Sequence, residues 1–340
     1  MPQKIRLMDA VREWEAHSRA RRLAENSIKN RIQPLNQAFD VWGNIYVCNI
    51  EPRHIDVLFS RHSWAESTTN QYLATLRQFF TWARAHNYLG KDDDPTAGWY
   101  NLRVPVREKM RIPVDMFPTL LDAAPHPVDR MVVALGLFTF MRGSEISTLR
   151  VSDLENLDSK FPLLHIVRHK TKEEDALPVV RELQFEIKRF FRYYTSKAGI
   201  LQPHWYLVPR PKSLLGNANV KREGVDPGVD PLRPYTHPYR AVQRAWGALG
   251  NETKGIGVHD LRRSGARAYA DTLRSEGHDG ALLRVASILG HKDVKQTQKY
   301  IGWGLERKQR NDMLAGKFMF PQLQGDAVVL EVPQERVLGE

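Results

Sequence analysis

His259, Arg262, His291 and Tyr300 are side chains of the types that can act together on a phosphodiester, and they fall within one stretch of the sequence. A phosphodiester resists attack because its charge repels nucleophiles and its leaving alkoxide is poor. A catalyst working without metal therefore needs cations on the non-bridging oxygens and an acid at the leaving oxygen. In "HDLRRSGAR", His259 and Arg262 stand at i and i+3, on one face of a helical start, so imidazole and guanidinium can meet the same phosphate. The planar fork of arginine matches two phosphate oxygens and stays charged at any relevant pH. "LGHKDVKQTQKYIG" places His291 in a helix-start turn after Gly290, and Tyr300 near the far end of the segment that follows. A tyrosine phenol becomes nucleophilic on deprotonation, and clustered Arg and His stabilise the phenolate. Singly, each signal is weak, because His-x-x-Arg is common on surfaces and a tyrosine is commonly a packing residue.

The rest of the chain suits a polyanionic partner. Fifty Lys+Arg against 39 Asp+Glu give a net charge of +11, and residues 107–320 hold 35 of the basic and 24 of the acidic side chains. Such an excess favours nucleic acid, whose condensed counterions are released when cations bind. Cys48 is the only cysteine, which excludes an intrachain disulfide and a thiolate zinc site and fits a reducing, cytoplasmic compartment. The best apolar run, Met131 to Met141, is far short of the ~20 residues that span a bilayer, so no membrane partner is expected.

The elements that must position these residues divide into two lobes. Ile28, Ile32, Leu35, Phe39 and Trp42 recur at helical spacing from Ser27, with Pro34 expected to kink or interrupt the helix. Tyr72, Leu73, Leu76, Phe79, Phe80 and Ala83 line one face of a second helix, with Ser67, Thr68 or Thr69 as its cap and Gly90 as its stop. Residues 1–104 thus read as an all-helical domain and 105–112 as an extended basic linker. After Pro113, helices are expected at about 115–123, 127–140, 181–198, 236–249 and 259–275. Leu164 and Ile166 against Leu177 and Val179 predict a β-hairpin with its tip near Lys172 to Asp175, while 201–234, rich in Pro and Gly, is expected to be irregular. The fold class is mainly α with a small β-hairpin or sheet, an α+β domain over 113–320, followed by a 321–340 tail in which Val328 to Val332 is a strand candidate.

"FMRGSEISTLRVSDL", "HDLRR" and "LGHKDVKQTQKY" together resemble the catalytic domain of the tyrosine recombinases, the phage-integrase family. That family carries an Arg-x-x-Glu, a hairpin lysine, His-x-x-Arg, Leu-Gly-His and a tyrosine, and all five occur here in that order. "NQYLATLRQFFTWARAHNYLG" resembles the family's helical core-binding (SAM-like) domain, so the resemblance implies a two-lobed DNA clamp. It further implies that Arg142 and Arg262 bind the scissile phosphate, with Glu145 as a supporting acid. Tyr300 would be the nucleophile, His259 an acid/base or charge stabiliser, and His291 a phosphate hydrogen-bond donor. Lys170, with Lys172 as the competing choice, would protonate the 5′ leaving oxygen. No metal, ATP or other cofactor is implied. The implied partners are double-stranded recombination sites and further copies of the chain in a tetrameric synapse, with an accessory directionality factor. A type IB topoisomerase and a non-catalytic DNA-binding protein on the same fold are the competing readings. Two departures stand out: an added charged stretch, "TLRSEGHDGAL", between Arg262 and His291, and the long Pro/Gly region 201–234.

Overall fold

The computed structural model describes residues 2–105, 110–168, 171–214 and 228–302, and the chain divides into two compact units, Met1–Glu108 and Lys109–Glu340. Lys170, the segment that follows Gly302 and the Val328–Val332 strand candidate lie outside the described residues.

The first unit is helical. Helices α1 (Leu7–Ala20), α2 (Glu25–Trp42), α3 (Pro52–Arg61) and α4 (Glu66–Ala85) turn their apolar stripes onto one core that includes Leu7, Trp14, Leu35, Ile55, Leu76 and Phe80. Burying side chains of this size contributes about 1.5–3 kcal/mol each, which decides the packing over local propensity. Two expectations need correction on that ground. Helix α2 runs without a break through Pro34: the ring forfeits one backbone hydrogen bond, but Pro34 is buried alongside Ile28, Leu35, Ala38 and Trp42, and that face holds the helix together. Helix α4 starts before the point its hydroxyl residues suggest, with Ala65 in the cap position and Glu66 in the first turn. Its stop is Asn87, in the left-handed region at φ 59°, rather than Gly90, and the Tyr88 amide returns to the Ala83 carbonyl. Beyond it, Asn70 clamps the main chain of Leu102, accepting from its amide at 2.7 Å and donating to its carbonyl at 2.8 Å.

In the second unit, α5 (Phe117–Asp122) leads to the apolar α6 (Pro127–Phe138), against which α8 (Arg181–Ala198), α9 (Pro238–Ala248) and α10 (Val258–Ser275) pack. Asp129 in α6 is fully buried, and Arg244 answers its charge by donating from Nε at 2.8 Å and Nη2 at 2.5 Å. Helices α7 (Gly143–Thr148), α11 (Ala281–Leu289) and α12 (Val294–Ile301) complete the set of α-helices among the described residues.

Three short strands, β1 (Leu154–Glu155), β2 (Leu163–Val167) and β3 (Glu174–Pro178), form an antiparallel sheet in the order β1-β2-β3, with Leu164 opposite Leu177 and Val167 opposite Glu174. Of the expected tip, Lys172 to Asp175, Glu174 and Asp175 already pair as strand. Residues 201–234 are not wholly irregular: β4 (Pro209–Pro211) pairs with β5 (Val229–Pro234). Prolines at the strand ends cannot donate to a ladder, and a two-strand ribbon leaves room for them on its free edges.

Candidate active site

Glu145 is the hub. Its side chain is fully buried at the start of α7, where Oε2 accepts the Arg142 amide at 2.7 Å and Oε1 accepts Arg142 Nη1 at 2.8 Å. The Arg-x-x-Glu spacing permits both contacts, because the third residue of a helix faces the amide just before its first turn. The same carboxylate lies 3.8 Å from a guanidinium nitrogen of Arg168 and 3.8 Å from one of Arg262. One negative charge thus organises three cations.

Arg262 is contributed by the first turns of α10 and is 1% exposed. It donates Nη2 to the Leu289 carbonyl at 2.8 Å and Nη1 to the carbonyl of Phe140. Phe140 has φ 54°, a left-handed conformation costing a non-glycine residue roughly 1–2 kcal/mol, and its carbonyl is the one Arg262 engages. Burial pushes Arg262 down to about 10, which leaves it protonated at neutral pH. Gly265, one turn on, lets α10 approach α6 so closely that a Cβ there would meet the Leu137 carbonyl.

His291 and Tyr300 come from the far side of the site. Gly290 ends α11 in the left-handed conformation at φ 65°, which turns the chain, and Asp293 caps α12 by accepting the Lys295 amide at 2.8 Å. His291 Nδ1 lies 3.0 Å from Oγ1 of the fully buried Thr297, and its ring meets that of Tyr300 edge-on with centroids 5.4 Å apart. Half-buried Tyr300 donates its hydroxyl to the His259 carbonyl at 3.3 Å, and the guanidinium carbons of Arg262 and Arg263 lie 5.8 and 5.6 Å from its ring centroid.

Arg142, Glu145, His259, Arg262, His291 and Tyr300 are therefore brought together within one chain. Lys170 is outside the described residues. Lys172 is exposed at the hairpin turn with φ 61°, its amide donating to the Arg168 carbonyl at 2.7 Å.

The electrostatics differ from the sequence expectation in one respect. Arg262 and Arg263 do favour the phenolate of Tyr300, but burial outweighs them, so the phenol sits above its ordinary value of 10.0. Burial first, then the charges of Arg262 and Arg142, hold His259 below its ordinary 6.5, leaving it neutral at pH 7. A neutral imidazole has a lone pair with which to accept a proton.

Three residues escaped the sequence reading. Arg168, 4% exposed, donates Nη2 to Asp175 at 2.7 Å and to the Ile288 carbonyl at 2.6 Å, tying the hairpin to the end of α11. Arg263 pairs with Asp260 at 3.1 Å beside the Tyr300 ring, and Thr297 orients His291. An arginine just past the end of a short strand and a threonine in a polar helix carry no periodic signal that would single them out.

The description "Phage integrase family" belongs to the family model that matches residues 111–303. The fold is shared with a lambda integrase dimer bound to a COC′ core site, which is 17% identical over 88% of this chain and 78% of that one, with a TM-score of 0.65. It is shared also with a lambda integrase tetramer bound to a Holliday junction (17% identity, 86% of this chain, 79% of that one, TM-score 0.63). A Tn1549 transposon integrase in complex with a circular intermediate DNA is similar as well (13% identity, 91% of this chain, 98% of that one, TM-score 0.63). No curated protein sequence matches the chain. With more than half of its length matched by the family model, this chain belongs to the phage integrase family of tyrosine recombinases.

Proposed function

We propose that this protein is a site-specific DNA recombinase of integrase type, cleaving and rejoining DNA through a 3′-phosphotyrosyl intermediate. The observation that carries the reading is the assembly, in one chain, of a tyrosine hydroxyl with two arginines that share a buried carboxylate. Arg142 and Arg262 hold the non-bridging oxygens of the scissile phosphate, Glu145 fixing their planes. Tyr300 Oη attacks phosphorus as neutral His259 accepts or relays the phenol proton. The P–O5′ bond breaks, and Lys170 supplies the proton that leaves with the 5′ hydroxyl. His291, oriented by Thr297, donates to the phosphate.

The ester stores the energy of the broken bond, so a 5′ hydroxyl from a partner strand reverses the step with no ATP. Two guanidinium groups supply the charge that a metal would otherwise bring, so no cofactor enters the scheme. The partners proposed are duplex recombination sites and further copies of the chain, in keeping with the dimeric and tetrameric DNA complexes of lambda integrase. An accessory directionality factor belongs to the same proposal.

Supercoiled plasmids carrying candidate sites test the reading, with Tyr300→Phe as control. Covalent protein–DNA complexes and recombinant junctions that vanish in Tyr300→Phe are expected. Site-independent relaxation would point to a topoisomerase, and binding without an adduct to a non-catalytic DNA binder.

A further inference from the structure

Helix α12 carries the proposed nucleophile yet has only eight residues. A helix that short is marginal by itself, so its anchors decide where Tyr300 sits. At its first end Asp293 caps it and Thr297 is buried against His291. Ile301, fully buried with Phe140, Ala266, Val285 and Leu289, holds its body. The far end is held differently. Gly302, two positions beyond Tyr300, closes the helix in the left-handed conformation at φ 64°, and its carbonyl accepts from two arginines, Arg111 Nη2 at 3.2 Å and Arg267 Nη1 at 3.1 Å.

Arg267 lies on α10, but Arg111 comes from the start of the second unit. The segment around it is itself fastened to α10: the Met110 carbonyl accepts from Arg263 at 3.3 Å, and the Ile112 amide donates to Ser264 Oγ at 2.9 Å. Arg263 is the same side chain that lies against the Tyr300 ring. The stretch Met110–Ile112 therefore reaches the nucleophile helix twice, once at its C-terminal carbonyl and once through Arg263. A cation at a helix C-terminus also meets the negative end of the helix dipole. Arg142 and Arg262 are held differently, by Glu145 and by the Phe140 and Leu289 carbonyls.

We infer that Arg111 is a positioning residue for the nucleophile, a strap that holds the last turn of α12 so that Tyr300 faces the phosphate site. The inference rests on the reading that Tyr300 is the nucleophile.

The test uses the full chain and a nicked duplex oligonucleotide carrying the cleavage site mapped in the plasmid assay. Arg111→Ala should slow single-turnover formation of the covalent complex by about 10-fold, the scale of one charge-assisted hydrogen bond. DNA affinity and melting temperature should stay unchanged, and Arg111→Lys should recover most of the rate. To separate nucleophile placement from the rest of the site, hydrogen peroxide replaces the phenol as external nucleophile in a Tyr300→Phe background. Adding Arg111→Ala there should leave peroxide-driven cleavage unchanged, and an equal loss in both assays overturns the inference.

A second measurement decides the matter where peroxide cleavage is too slow to follow. Gly302→Ala is strained at its positive φ and drives its new Cβ into the Arg111 guanidinium, so it should slow the same step. The Arg111→Ala/Gly302→Ala double variant should then be no slower than the worse single variant. Multiplicative losses overturn the strap. Covalent complex formed by Tyr300→Phe would instead overturn the nucleophile assignment, and this inference with it.

Discussion

The hydroxyl of Tyr300 donates to the main-chain carbonyl of His259 at 3.3 Å, so the proposed nucleophile rests on the first turn of the helix carrying Arg262. The bond is long and only half shielded from water, and the ring keeps its packing without it. Tyr300→Phe should accordingly change folding stability by no more than about 0.5 kcal/mol while removing all cleavage. Urea denaturation checks the first part, and a loss of several kcal/mol would show that the hydroxyl is structural.

Glu145 faces a harsher outcome. Glu145→Gln removes the buried carboxylate shared by Arg142, Arg168 and Arg262, with Asp175 left to answer Arg168 alone, and breaking a buried pair in this way costs roughly 3–5 kcal/mol. We expect a large fall in the urea midpoint together with loss of cleavage. An unaltered midpoint would mean that solvent already screens these charges.

Gly265→Ala should destabilise the second unit by about 1–3 kcal/mol, because the added methyl group meets a backbone carbonyl that has little freedom to yield. Cleavage should drop with it, as Arg262 rides on the displaced helix. A thermal melt indistinguishable from that of the parent would contradict the close approach of α10 to α6.

His259 makes stability depend on pH in a defined direction. Its folded value lies below 6.5, so between that value and 6.5 the unfolded chain binds the proton and the native chain resists it. Its contribution to stability is complete above 6.5 and is lost as pH falls through that window. In His259→Gln this part of the dependence should disappear; parallel curves for parent and variant would be the contrary result. Tyr300 acts at the other extreme: its raised value makes stability decline above pH 10, where the unfolded chain ionises first.

Lys170 and Lys172 separate by chemistry. A bridging 5′ sulfur leaves without a proton, so the variant of the true general acid should be slow on the oxygen ester and restored on the sulfur ester. We expect Lys170→Ala to behave this way and Lys172→Ala to keep parental rates on both substrates. Restoration of Lys172→Ala alone would reverse the assignment.

Much of the arrangement was readable in the sequence because it rests on local spacing. Arg142 and Glu145 stand three apart, as do His259 and Arg262, and helix geometry converts that spacing into shared faces; α8 occupies 181–198, as expected. What could not be read depends on partners distant in the chain. Arg168 matters through the Ile288 carbonyl, and the net shift of Tyr300 is set by how deeply its ring is buried. Pro-containing strands such as β4 and β5 were hidden because proline argues against a ladder that only its position at an edge permits.

The most direct measurement is to trap the covalent complex, trim the DNA with nuclease and identify by mass spectrometry the residue that retains a nucleotide. A 3′-phosphonucleotide on Tyr300, absent from Tyr300→Phe, is the predicted result. A nucleotide on any other side chain, or no covalent linkage under conditions where strands are exchanged, would contradict it.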